Sequence, residues 1–94
     1  MDKWSITVRQ IKAARALLDW TSNDLAQAST VPPSTVWRIE SFEGPLRGRG
    51  ASVGKVIEAL ERVGIVFLGE SEGGLGVCLS KSERSKAAAI ASEF

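Results

Sequence analysis

Val8, Ile11, Ala14 and Leu18 recur three or four residues apart, which on a helix gives one apolar face. Thr7-x-x-Gln10 ahead of them is a capping box, and Ile6 and Ile11 sit where a hydrophobic staple would hold the entry, so a helix is predicted over 8–18. The same signals return at once. Thr21 and Asp24 form a second capping box, with Trp20 and Leu25 at the staple positions and Leu25, Ala26 and Ala28 as the apolar side of a helix over 22–29. After Thr30-Val31, Pro32-Pro33 suits only a first helical turn, and a helix is predicted over 33–41. On that register Val31, Val36 and Ile39 face inward, while Ser34, Trp37, Arg38 and Ser41 face outward. Residues 43–51, with three glycines and a proline, read as a loop. Ser52 is the expected cap of a helix over 53–63, carried by Val53, Val56, Ile57, Leu60 and Val63 and stopped by Gly64.

The period then changes. Ile65–Leu68 and Leu75–Leu79 are short β-rich runs around a Gly-rich turn at 70–74, which predicts a hairpin over 65–79. A lone hairpin is marginal in water, so this one must pack on the helices or pair with another chain. The expected fold class is mainly α: four helices followed by a short C-terminal β-hairpin. Residues 1–80 read as one domain, and 81–94 as an Ala-rich, charged tail, either flexible or a frayed helix.

Composition narrows the chemistry. The chain of 94 residues holds one domain, with 44% hydrophobic and 24% charged residues, as in ordinary globular proteins. It contains no histidine and one cysteine, Cys78, so the usual zinc ligand sets, Ser-His and Cys-His catalytic pairs and an internal disulfide are excluded. Cys78 is expected as a small buried apolar residue. Gly44-x-x-x-Gly48-x-Gly50 is not a phosphate loop, since no strand precedes it and no Gly-Lys-Ser/Thr follows. No enzyme and no cofactor are expected. The net charge of +1 is divided unevenly: residues 1–55 carry +3 and residues 56–94 carry −2. No apolar run approaches the roughly 20 residues of a membrane span, and MDKWSITVRQ lacks a signal-peptide core, so a cytoplasmic location is expected.

Residues 21–40 have the layout of a helix-turn-helix: a short capped helix, a tight turn, then a second helix. Together with Arg15, Thr21-x-x-x-Leu25-Ala26, Val31, Thr35-Val36-x-Arg38-Ile39-Glu40 and Ala59-Leu60-Glu61, this stretch resembles the lambda-repressor-like, or XRE-type, regulators over residues 7–68. The run ALERVGIVFLGESEGGLGVCL resembles small single-domain members with a hairpin after their last helix. The resemblance implies an ion pair between Arg15 and Glu40. It also implies a reading helix at 33–41 that enters the major groove of double-stranded DNA. DNA contacts are then expected from Lys12, Ser22, Ser34, Thr35, Trp37, Arg38, Arg47 and Arg49.

The sequence departs from that family where polar readers are common. Ser22, Pro33 and Ser34 stand at those positions, so base readout would rest largely on Arg38, because arginine to guanine O6/N7 is the commonest specific contact. Two functions follow as expectations. One is a repressor acting as a homodimer on a pseudo-palindromic operator, with the 65–79 hairpin as the dimer element. The other is a protein-binding module, an antiactivator that has lost DNA reading and binds a partner through Trp37.

Overall fold

The computed structural model describes residues 6–41, 50–69, 71 and 73–80. Along the chain run α1 (Val8–Leu18), α2 (Ser22–Ser29), α3 (Pro33–Glu40), α4 (Ala51–Arg62), β1 (Ile65–Leu68) and β2 (Gly76–Leu79). The protein is thus mainly α with a C-terminal antiparallel hairpin, as the periodicity predicts. The tail at 81–94 and most of the loop before α4 lie outside the described residues.

Each helix forms where its local signals stand. Thr7 accepts a hydrogen bond from the Gln10 N–H, and the Gln10 side chain accepts one from the Thr7 N–H, closing the first capping box. Thr21 and Asp24 repeat the exchange at α2, at 3.1 and 2.8 Å. Both helices end in the same way. Asp19 and Thr30 take left-handed backbone conformations with φ of 56° and 55°. The next residues, Trp20 and Val31, then donate their N–H groups back to the Arg15 and Ala26 carbonyls. The two turns are therefore Schellman motifs built without glycine.

α4 departs from expectation. It begins at Ala51, two residues before the predicted start and inside the predicted loop, and its N-cap is Gly50 with φ 84° and no side-chain cap bond. Ser52 lies inside the first turn and is not the cap. Gly50 adopts a backbone that other residues resist, which lets the helix begin earlier. The other end agrees with the sequence: α4 stops at Arg62, and Gly64 has φ 102°. α3 ends at Glu40, with Ser41 as its C-cap.

The core lies between the helices and one face of the hairpin. Ile11, Leu25, Val36, Val53, Ile57 and Leu60 are at most 1% exposed, and Trp20, Val63, Val77 and Leu79 pack partly buried around them. β1 pairs with β2 in the register Ile65↔Leu79, Val66↔Cys78, Phe67↔Val77 and Leu68↔Gly76. Alternation then divides the ribbon. Ile65, Phe67, Val77 and Leu79 turn toward the helices, while Val66 and Cys78 turn outward. Cys78 is exposed, which corrects the expectation of a buried residue. It shares the outer face with Val66 because the register places the two directly opposite.

Gln10 joins the hairpin to α1. Its amide nitrogen donates to the carbonyls of Leu68 and Gly76, each at 2.9 Å, while its oxygen serves the helix cap. The side chain is buried with its donors and acceptor in use, as burial of an amide requires.

Candidate nucleic-acid interface

α2, the turn and α3 carry the outward side on which the sequence places most of the candidate contacts. The turn is three residues, Thr30-Val31-Pro32, and its middle residue is buried, which pins the angle between the helices. Pro32 precedes the helix with φ −57°, and Pro33 opens it. The Pro32 carbonyl accepts from the Thr35 and Val36 N–H groups at 2.9 and 3.1 Å, so the missing proline donors cost the first turn nothing. α2 packs on both α3 and α4, and α1 touches α3.

One ion pair holds this arrangement. Arg15 Nε donates to Glu40 Oε2 at 2.7 Å, and Arg15 Nη1 donates to the Trp20 carbonyl at 3.1 Å. The arginine thereby links α1, the turn into α2 and the last residue of α3. Glu40 is 8% exposed and Arg15 23%, so the pair is shielded on the acid side and open to solvent on the arginine side. The partners are those the resemblance implied.

The inner side of α3 is Val36, Ile39 and Glu40, all buried. Its outer side carries Ser34, Trp37, Arg38 and Ser41, all exposed, with Thr35 half-buried on the shoulder. Trp37 is 70% exposed, although an indole is large and apolar. The side chains of Ser34, Trp37 and Arg38 have no hydrogen-bond or ion-pair partner among the described residues. Ser41 Oγ donates to the Trp37 carbonyl at 2.8 Å and is occupied by its own helix. The remaining expected contact residues fall elsewhere. Lys12 is exposed on α1, and Ser22 is half-buried at the start of α2. Arg47 and Arg49 lie outside the described residues.

Two side chains make structural contacts that the sequence did not reveal. Ser29 is buried and donates to the Leu25 carbonyl at 2.7 Å, which satisfies its hydroxyl where α2 meets its neighbours. Gln10 was read as a cap residue, with no sign of its contacts to the hairpin. Among the described residues, no group of three or more His, Cys, Asp or Glu is arranged to hold a metal ion. No helix among them is long and apolar enough to cross a membrane. No buried side-chain nitrogen or oxygen among them lacks a partner, so no orphaned polar atom marks a closed site. No family model, curated protein or solved structure matches the chain.

Proposed function

We propose that the chain is a DNA-binding transcriptional regulator of the lambda-repressor-like kind, a repressor whose α3 lies in the major groove. The observation that carries this reading is the outward row of Ser34, Trp37 and Arg38, unpartnered within the described protein, on a helix set at a fixed angle by a buried three-residue turn. A major groove about 12 Å wide admits one helix, and α3 is backed by the core on one side and exposed on the other. The net charge of +3 in residues 1–55, the part of the chain that includes α2 and α3, supports contact with phosphates. Lys12, Ser22, Arg47 and Arg49 would contact the backbone, while Ser34, Thr35, Trp37 and Arg38 would face base edges.

The regulator would act as a homodimer, two reading helices entering successive major grooves about 34 Å apart. The hairpin is the proposed contact, since Val66 on its outer face is 47% exposed and Leu75, in the bend before β2, is 56% exposed. A cytoplasmic location is part of the same proposal. The exposed Trp37 also favours a second reading, an antiactivator that binds a protein through this indole, because tryptophan is enriched at interface hot spots.

Capture of fragmented genomic DNA by the purified chain, at low and moderate salt, separates the two. Enrichment of a short two-fold-related motif, weakened by salt, supports the regulator. Absence of any enrichment at low salt overturns it and favours the protein-binding reading.

A further inference from the structure

Successive residues on a helix turn about 100° around its axis. On α3 this sets Ser34 and Ser41 along the middle of the outward side, with Arg38 on one flank and Trp37 on the other. The chemistry of that strip is sparse. Arg38 is its one long donor, Ser34 is short, and Pro32 and Pro33 offer no N–H. Trp37 presents by far the largest apolar area of the strip, 70% exposed and without a hydrogen-bond partner among the described residues. A polar base edge placed against that ring would lose water without gaining more than one hydrogen bond, from the indole N–H.

Most of the major-groove pattern is unsuited to such a ring. Guanine offers N7 and O6, adenine N7 and an amino group, cytosine an amino group, and only thymine adds a methyl group, at C5. Resting on the regulator reading above, we infer that Trp37 is a specificity-determining residue that recognises the C5 methyl of a pyrimidine. That pyrimidine is thymine in unmodified DNA, and 5-methylcytosine carries the same group at the same place. Arg38, on the other flank, reads a guanine within the same few base pairs. Each half-site therefore combines a guanine with a C5-methylated pyrimidine.

The test replaces one methyl group at a time. In the site enriched from genomic DNA, each thymine of a half-site is exchanged for deoxyuridine, and binding is measured for the wild type, Trp37→Ala and Trp37→Phe. Salt is kept low enough for all three to bind. At one or two positions deoxyuridine should weaken the wild type roughly three- to five-fold, the loss of one buried methyl. Trp37→Phe should keep this sensitivity and Trp37→Ala should lose it. At the same position a cytosine·guanine pair should bind better when the cytosine carries the 5-methyl group. Because Trp37 is exposed, thermal unfolding of both variants should match the wild type. A wild type indifferent to deoxyuridine at every position, or an equal loss in Trp37→Ala, overturns the methyl contact while leaving the regulator standing. A wild type that selects no DNA sequence overturns both.

Discussion

Glu40 is a carboxylate on the inner side of a helix, and a single arginine accounts for its charge. Removing one partner of a shielded pair costs more than the pair contributes, since the other charge is left without compensation. Arg15→Ala, which leaves the shielded Glu40 carboxylate without its partner, should therefore destabilise the fold by roughly 3 kcal/mol in urea unfolding, and by more than Glu40→Ala, which leaves only the solvent-open arginine. An apolar double replacement, Arg15→Met with Glu40→Leu, should lose clearly less than the two single changes added together. Additive losses would show that the pair is not the unit of stability. Gln10 gives a sharper test, because glutamate is the commoner residue at its place in a capping box. By local rules Gln10→Glu is neutral. In the folded chain it would put a carboxylate oxygen against the Leu68 and Gly76 carbonyls, where an amide now donates at 2.9 Å. The expected loss is about 2 kcal/mol or more, with Gln10→Glu worse than Gln10→Met. The cap was legible because its two residues stand three positions apart. The hairpin contacts were not, because they join residues 58 and 66 positions apart. Cys78 was misplaced for a related reason. Leu75–Leu79 is apolar on both sides of the strand, so its composition carries no phase, and only the pairing with β1 decides which residues face outward.

At the scale of elements, the first two helices were legible to the residue because their boundaries are chemical and local. Each has a hydroxyl at the N-cap, an acceptor three residues on and an apolar staple. The start of α4 was not, because a glycine with left-handed φ can cap through backbone alone, and Ser52 offered a plausible but unused hydroxyl. The ends of α1 and α2 hold stored strain. Thr30 is β-branched and sits at φ 55°, in a region that costs L-residues roughly 1–2 kcal/mol. Glycine would remove that cost and lose part of the gain to the greater freedom of the unfolded chain. Thr30→Gly is thus expected to raise stability by about 0.5–1 kcal/mol, read as a higher urea midpoint at unchanged slope. A lower midpoint would mean that the hydroxyl bond from Thr30 Oγ1 to the Ser29 carbonyl, at 2.6 Å, outweighs the backbone strain. The substitution keeps both backbone bonds of the motif, so the direction that the turn gives to α3 is expected to hold.

The whole molecule carries a net charge of only +1, so proposed DNA binding must come from local placement of cations and from two copies acting together. Salt dependence measures the first. Each phosphate neutralised contributes a slope of roughly −0.9 in log K against log salt, and Arg47→Ala or Arg49→Ala should each reduce the slope by about one. Arg38→Ala should instead cost about 1–3 kcal/mol at the preferred site and narrow the gap to other sequences. The hairpin measures the second. Its inner face is consumed by the helices, through Ile65, Phe67, Val77 and Leu79, and its outer face keeps Val66 and Cys78 in solvent, with Leu75 exposed in the bend before β2. A lysine at Val66 should leave the monomer intact, because the position is 47% exposed and surface changes of this kind usually stay within about 0.5 kcal/mol. In a dimer joined through this face it would bury two like charges near the two-fold axis. Val66→Lys should therefore sediment as a monomer where the wild type sediments as a dimer, and should bind a single half-site about as well as the wild type does. Its affinity for the full operator should fall toward that half-site value, since the second reading helix is no longer tethered to the first. A variant that remains dimeric would place the contact elsewhere on the molecule, and a wild type already monomeric on DNA would remove the two-fold operator from the proposal.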